Sequence, residues 1–359
     1  MHKIGIIGGG GIAGMHAKSI HDLDNAQLVA VADKNPDAAA KFADENECQP
    51  FSDVEEMLED VKPDVVTVCT PSGAHLEPVS TCLHHDIPVL CEKPLEIQLD
   101  RVDQMIRIAE QREVKLGCIF MQRYSPLMQQ IYNAAAAGRF GDLAAVNGYV
   151  PWWRSDEYYA PGRWQGTLAL DGGGAMMNQS IHVVDMVQWL ASATMNDIDS
   201  DENAVDEVFA YTAKRAHDPN LIEVEDTATV SLKFKNGALG QLLGTTSLYP
   251  GALRRVQIGG RDGMAETLED ELTIWQFREP KDEDENIREQ FGQASSTSGG
   301  ASDPMAIDYA NHRRNIAAFL ESLESNERFM LDGREARKAV AVLSALYASA
   351  ESGQPEKVK

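Results

Sequence analysis

No apolar run in the chain is long enough to cross a membrane, since a helical span needs about 20 consecutive apolar residues. Cysteine is scarce, with five in 359 residues: Cys48, Cys69, Cys82, Cys91 and Cys118. None forms a Cys-x-x-Cys pair, so neither a zinc ribbon nor a disulfide framework is indicated. Thiols scattered in this way fit a reducing cytoplasm. Positive charge is scarce too. Lys plus Arg number 32 against 56 Asp plus Glu, a formal net charge of −24. Such a surface repels nucleic acid and anionic membranes. It fits a saline habitat, and equally an ordinary acidic surface without special meaning. An anionic substrate would need a local basic patch working against this field. Internal repeats are absent, and the opening MHKIGIIGGG runs straight into a strand without signal-peptide architecture.

What is present suits two cores. The length fits two domains, and 43% hydrophobic residues is ordinary for a globular protein. The stretch Ile4 to Gly14 reads IGIIGGGGIAG, an apolar run broken by glycines and resumed with small residues. A dinucleotide fingerprint needs Gly for a tight turn, a second Gly for close approach of the pyrophosphate, and a small third residue for packing. Gly8, Gly10 and Ala13 take those places. The helix that follows directs its positive N-terminal end at the phosphates. A second apolar run, Ala26 to Ala32, ends in Asp33, at the expected distance of roughly twenty residues. An acid there accepts hydrogen bonds from both ribose hydroxyls and repels a 2′-phosphate, which favours NAD over NADP. Lys34 follows and blunts that preference.

The first third alternates strands with helices, which predicts an α/β domain with a parallel sheet covered on both faces. Strands are expected at Val65–Cys69, Pro88–Cys91 and Lys115–Phe120, and helices at His75–His85 and Leu99–Arg112. Ligands then lie beyond the C-terminal strand ends, where Gly8, Asp33, Thr70 and Lys93 all fall. After about residue 122 a helix, Tyr124–Ala137, precedes longer alternating runs at Leu143–Trp153, Glu225–Phe234, Ala238–Leu248 and Arg254–Ile258. Asn236-Gly237 marks a hairpin. This half predicts an α+β domain with a large, mainly antiparallel, open-faced sheet, interrupted by a helix over Gly174–Leu190. The expected boundaries are 1–121 and 122–359, with the C-terminal helices able to pack back on the first domain. One face of such a sheet needs a cover, often a second subunit, so a homodimer or homotetramer through that sheet is expected. Residues 280–304 are charged, then small and polar, and read as a mobile surface loop: a lid near the substrate or a disordered insertion.

These residues resemble the Gfo/Idh/MocA oxidoreductases (glucose-fructose oxidoreductase, inositol dehydrogenase, rhizopine catabolism). The likeness runs through IGIIGGGGIAGMHA, CTPSGAHLEPV (Cys69 to Val79), VLCEKPL (Val89 to Leu95), GRFGDL (Gly138 to Leu143) and LDGGGAMMNQSIHVVD (Leu170 to Asp185). It ends in LDGREARKAVAVLSALYASAESGQPEKV (Leu331 to Val358). The resemblance implies a Rossmann domain, NAD as cofactor and a sugar, cyclitol or nucleotide-sugar substrate. Cofactor contacts are implied for Gly8, Gly10, Gly11, Ile12, Asp33, Thr70, Ser72, His75, Glu92, Lys93, Arg123 and Trp164. Substrate contacts are implied for Lys93, Tyr124, Arg163, Asn178 and His182.

The resemblance also assigns roles. Lys93 of Glu-Lys-Pro faces nicotinamide and substrate, polarises the reacting oxygen, and relays a proton if its pKa is depressed. Pro94 fixes the backbone after it, and relatives often have a cis bond there. His182 takes the hydroxyl proton as hydride leaves for the nicotinamide, a role that suits an imidazole near neutral pH. On an α-helix Asn178, His182 and Asp185 share one face, and Asp185 reads as structural. Many relatives carry Asp where this chain has Asn178. An amide takes no proton but orients a substrate hydroxyl, so the proton work falls to His182 and Lys93. Asn178 to His182 (NQSIH) is similar to the version in dehydrogenases of nucleotide-linked sugars. Arg163 suits a phosphate or carboxylate, and Trp164 a sugar or nicotinamide face; both also fit a packed corner. No metal is expected. Rival readings are a redox-neutral NAD-recycling glycosidase or epimerase, and a non-catalytic NAD(H)-binding regulator.

Overall fold

The computed structural model describes residues 1–292, 309–325 and 327–359. The chain divides into two compact units, Met1–Tyr124 with Asp308–Val340, and Ser125–Ile307 with Ala341–Lys359. Where a single cut is expected after residue 121, the chain passes between the units three times, after residues 124, 307 and 340. The helix Gly333–Ser352 begins in the first unit and ends in the second.

The first unit is built on six strands: β1 (His2–Ile7), β2 (Ala26–Ala32), β3 (Gln49–Phe51), β4 (Val65–Val68), β5 (Val89–Cys91) and β6 (Leu116–Cys118). They lie in the order β3-β2-β1-β4-β5-β6, every neighbouring pair parallel. The order reverses direction between β1 and β4, the place where open α/β sheets bind ligands. β4, β5 and β6 are buried at every position, because helices cover both faces of a parallel sheet. Their near-continuous apolar runs follow from that. Leu99–Arg112 forms the expected helix, whereas His75–His85 is helical over Leu76–His84.

Among the described residues the second unit carries eight strands: β7 (Leu143–Pro151), β8 (Val205–Ala213), β9 (Thr227–Phe234), β10 (Leu239–Thr245), β11 (Arg255–Gly260), β12 (Gly263–Leu268), β13 (Glu271–Phe277) and β14 (Glu356–Lys357). Their order is β13-β12-β11-β7-β10-β9-β8-β14, antiparallel except for β7 with β10. Gly237 turns the β9–β10 hairpin at φ +87°, the left-handed conformation such turns favour. β9 alternates strictly between buried and exposed residues, so one face packs on the core and the other stays open.

Two expectations change here. Residues 280–304 are not loop throughout, because Glu283–Phe291 is helical. The reason is Asp284, a buried acid that accepts both Arg139 guanidinium nitrogens at 2.7 and 2.8 Å and the Trp275 indole N–H at 2.7 Å. Residues 293–304, and with them the lid, lie outside the described residues. The helix expected over Gly174–Leu190 is also composite. Ala175–Ser180 is a π-helix, and the α-helix proper is Ile181–Ser192.

Candidate active site

In the first unit the glycine turn leaves β1 at Gly8, whose φ is +95°. A Cβ there would lie 2.8 Å from the Cys69 carbonyl carbon and 2.9 Å from the Thr70 nitrogen, so no side chain fits. At Gly10 and Gly11 a Cβ would meet nothing within 4 Å. The helix Gly11–His21 starts at that open space, with Gly10 as its N-cap and no side chain capping it. Its first N–H groups therefore face outward, available to an anion. Ala13 is buried where helix and strand pack, and Ile12 is half-buried on the first turn. The Asp33 carboxylate is held by two backbone donors, Gly9 N–H to Oδ2 and Asn35 N–H to Oδ1, both at 2.8 Å. That leaves lone pairs on each oxygen for ribose hydroxyls. An exposed glycine cradle beside an anchored acid fits NAD.

The turns after β4 and β5 are tied together by His75. Its Nε2 lies 2.9 Å from the Thr70 carbonyl and its Nδ1 2.9 Å from the Pro94 carbonyl. The ring is buried, so His75, expected at the cofactor, also ties two strand ends together. Ser72 is buried and Thr70 half-buried on the same turn, the Thr70 hydroxyl donating to the Ala74 carbonyl at 3.3 Å. The Lys93–Pro94 bond is cis.

Glu92 is buried beneath Lys93 and accepts its backbone N–H at 3.1 Å. Its other oxygen lies 2.9 Å from His16 Nε2 and 3.7 Å from His312 Nε2. Burial would raise the Glu92 pKa, but the two imidazoles facing it outweigh that and hold it well below the usual carboxylate range. Burial would likewise lower His16. Its contacts with Cys69 and Glu92 prevail and raise it from 6.5 to about 10. Glu92 therefore anchors the Glu-Lys-Pro turn. Arg123 is buried as well, its Nη1 2.9 Å from Glu335 Oε1, and Glu335 also holds Lys338 at 2.6 Å. Expected at the nicotinamide, it sits in an ion-pair network. Tyr124 next to it is half-buried, and burial raises its pKa.

In the second unit Asn178 lies on the π-helical segment, while His182 and Asp185 lie on the α-helix. The single α-helical face expected for all of them is interrupted by this change of pitch. His182 is partly exposed and Asp185 buried. The Asn178 amide is fixed at both ends: its nitrogen donates to Asp171 Oδ1 at 2.7 Å, and its oxygen accepts from Gln179 Nε2 at 3.3 Å. Asp171, itself buried, also accepts the Gly166 N–H at 2.7 Å. Gln179 is held in turn by Arg154 at 2.8 Å and contacts the Tyr158 hydroxyl at 2.9 Å. Arg163 is exposed, with its charge felt at Tyr158, and Trp164 is half-buried. Sequence alone does not single out Asp171, Arg154 or Gln179, which the structure links to Asn178. Asp171 and Gln179 stand inside the glycine-triplet motif; Arg154 ends a Trp-Trp-Arg run after β7, its only sequence signal.

Among the described residues no group of three His, Cys, Asp or Glu is placed to hold a metal ion. The model of the oxidoreductase family with an NAD-binding Rossmann fold, GFO/IDH/MocA, matches residues 2–120, and that of the GFO/IDH/MocA C-terminal domain matches 128–266. The chain is 28% identical over 265 residues to the myo-inositol 2-dehydrogenase of Thermotoga maritima, covering 73% of each. It is 27% identical over 263 residues to the UDP-N-acetylglucosamine 3-dehydrogenase of Acidithiobacillus ferrooxidans, covering 73% of this chain and 72% of that one. The crystal structure of the WlbA dehydrogenase from Bordetella pertussis, in complex with NADH and UDP-GlcNAcA, matches with a TM-score of 0.87. Its sequence is 29% identical, and the match covers 100% of this chain and 98% of that one. With a parallel dinucleotide-binding unit, an anchored Glu-Lys-Pro turn and a glycine triplet before a histidine helix, the chain belongs to the Gfo/Idh/MocA oxidoreductase family.

Proposed function

We propose that this chain is an NAD-dependent dehydrogenase of a secondary hydroxyl on a sugar-like substrate, and that the substrate is a nucleotide-linked sugar. The observation that carries the cofactor assignment is the open glycine cradle beside Asp33, whose carboxylate two backbone N–H groups hold ready for ribose. The same acid favours NAD over NADP, because it would repel a 2′-phosphate. The narrower substrate rests on two supports. One is the whole-chain likeness to a dehydrogenase crystallised with UDP-GlcNAcA. The other is the NQSIH run at Asn178–His182.

With the pyrophosphate of NAD held at the cradle, its nicotinamide would supply the hydride acceptor. Lys93 donates a hydrogen bond to the reacting oxygen and steadies it as it becomes an alkoxide. His182 accepts the hydroxyl proton. Asn178 offers a fixed amide to a neighbouring hydroxyl, its geometry set by Asp171 and Gln179. We further propose that copies associate through the open face of the second unit's sheet. The free state of all five cysteines supports a reducing, cytoplasmic setting.

The test is direct. Protein as purified is analysed by mass for bound nucleotide, then assayed for NADH formation with UDP-sugars, free sugars and inositols. UDP-sugars should be turned over fastest. A faster inositol would remove the nucleotide-sugar assignment, and failure to bind any nucleotide would remove the whole reading. Lys93→Ala and His182→Ala should each lower turnover by about 10²–10⁴-fold while NAD still binds. Undiminished turnover in both would move the proton work to other residues, whereas a wild-type chain that binds NAD and turns over none of these substrates would be a cofactor-binding regulator instead.

A further inference from the structure

A buried acid outside the roles above sits at the start of the histidine helix. Glu225 lies 49 to 51 residues along the chain from the turn it touches. Its Oε2 accepts the Gly174 N–H at 2.9 Å and its Oε1 the Met176 N–H at 2.9 Å. Its backbone carbonyl accepts the Ala175 N–H at 3.0 Å. The next donor, Met177 N–H, goes to the Tyr347 hydroxyl at 3.2 Å, and that hydroxyl donates to Glu225 Oε1 at 3.0 Å. A helix start leaves about four N–H groups without partners, and here two residues, one just before β9 and one on the helix Gly333–Ser352, take them all.

The glycine triplet explains how they reach it. A Cβ on Gly174 would stand 1.8 Å from the Glu225 carbonyl oxygen, and one on Gly173 2.1 Å from the Tyr347 hydroxyl. Only bare backbone admits this cap. The capped segment is the π-helix Ala175–Ser180, which carries Asn178 and runs directly into the α-helix bearing His182. A π turn takes more residues than an α turn, so whatever holds it open sets the rotation of every side chain after it.

We propose that Glu225 and Tyr347 are positioning residues: by capping the π-helical turn they set the orientation of the Asn178 amide and the His182 ring. The inference rests on His182 as the base assigned above. A carboxylate is required because it accepts on both oxygens. Glu225→Gln offers one oxygen and turns an NH₂ toward either Gly174 or Met176. Tyr347→Phe keeps the ring and removes only the hydroxyl.

The experiment uses the NAD-loaded full chain with histidine labelled for NMR, His182 being identified by the signal lost in His182→Ala. In Glu225→Gln and Tyr347→Phe the His182 ring resonance and its titration midpoint should move, with NAD affinity unchanged. Turnover of UDP-N-acetylglucosaminuronic acid should fall by about 10–100-fold at similar KM, the scale of a displaced catalytic group. If Glu225→Gln does not fold, Tyr347→Phe alone decides. A His182 signal and titration identical to wild type in a folded variant would overturn the proposal, whatever its turnover. Failure of the catalytic reading is distinct, since it appears as undiminished turnover in His182→Ala.

Discussion

Two glycines of one turn separate folding from binding. Gly8 sits at φ +95°, where an L side chain costs about 1–2 kcal/mol before any clash. Gly10 has φ −77° and open space in front of it. Gly8→Ala should therefore lower both the melting temperature and the affinity for NAD. Gly10→Ala should stay within about 1 kcal/mol of wild-type stability, the cost of an unfavourable cap, yet bind NAD about tenfold more weakly (~1.4 kcal/mol) because its methyl group stands in the pyrophosphate's place. Thermal melts and NAD titrations of the pair check this; wild-type affinity in Gly10→Ala would move the pyrophosphate away from this turn. The turn at Gly8 and Gly10 and the strand-end place of Asp33 are legible in the sequence because each is local: a backbone angle, a missing Cβ, a spacing within one strand-helix-strand unit. The partners of His75 and Arg123 are not. These, the Pro94 carbonyl and the Glu335 carboxylate, come from other segments. Nothing in the residues flanking either one announces that it is already engaged.

Strand ends hold their site residues only as firmly as the helices behind them. The turn after β5 is anchored through Glu92 to His16 on the helix Gly11–His21, with His312 on Ala310–Ser325 at the same carboxylate. His16 is raised to about 10, so its contribution to stability is complete below pH 6.5 and fades as pH climbs toward 10. Glu92 is lowered, so its contribution is complete above about pH 4.5 and fades as pH falls toward its depressed value. The pair is therefore strongest between about pH 4.5 and 6.5. Glu92→Gln should lower the melting temperature most in that window, because removing one partner of a buried pair typically costs about 3–5 kcal/mol. The difference from wild type should shrink toward both extremes of pH. Parallel melting curves across pH would refute the charged pair. Elements of this kind were partly legible. Apolar strands and the helix Leu99–Arg112 follow from periodicity alone. The π-helical turn does not, because Gly-Gly-Gly specifies only that something approaches closely. Glu225 and Tyr347, which do so, come from far along the chain.

At the scale of the whole molecule, charge and sheet geometry make opposite demands on association. The open face of the second sheet presents Phe209 and Tyr211 on β8, Leu239 and Leu243 on β10, Tyr149 on β7 and Ile274 on β13, positions that the strand register aligns on one side. Tyr211 and Leu239 are 65% and 60% exposed. Between them runs a polar row already satisfied within the chain: Asn147 donates to Gln257 at 3.0 Å and Gln257 to Glu266 at 2.8 Å. Covering this row still desolvates the Glu266 carboxylate, so the contact has to be driven by the apolar positions beside it. The charged groups on this face are mixed, Lys233 and Arg255 with Glu207 and Glu266, whereas the whole chain carries −24. In the proposed assembly, copies would therefore repel at long range and attract at short range. Salt screens the first over about 8 Å at physiological strength and hardly touches the second. In the proposed assembly, light scattering should show the oligomeric fraction rising with added salt at fixed protein concentration. Tyr211→Glu combined with Leu243→Glu places two like charges on each copy's face and should give the single-chain mass at every salt concentration, with the melting curve of the isolated fold preserved. An oligomer that survives both substitutions would have to use another surface. One that dissociates as salt is added would be held by ion pairs instead of by this face.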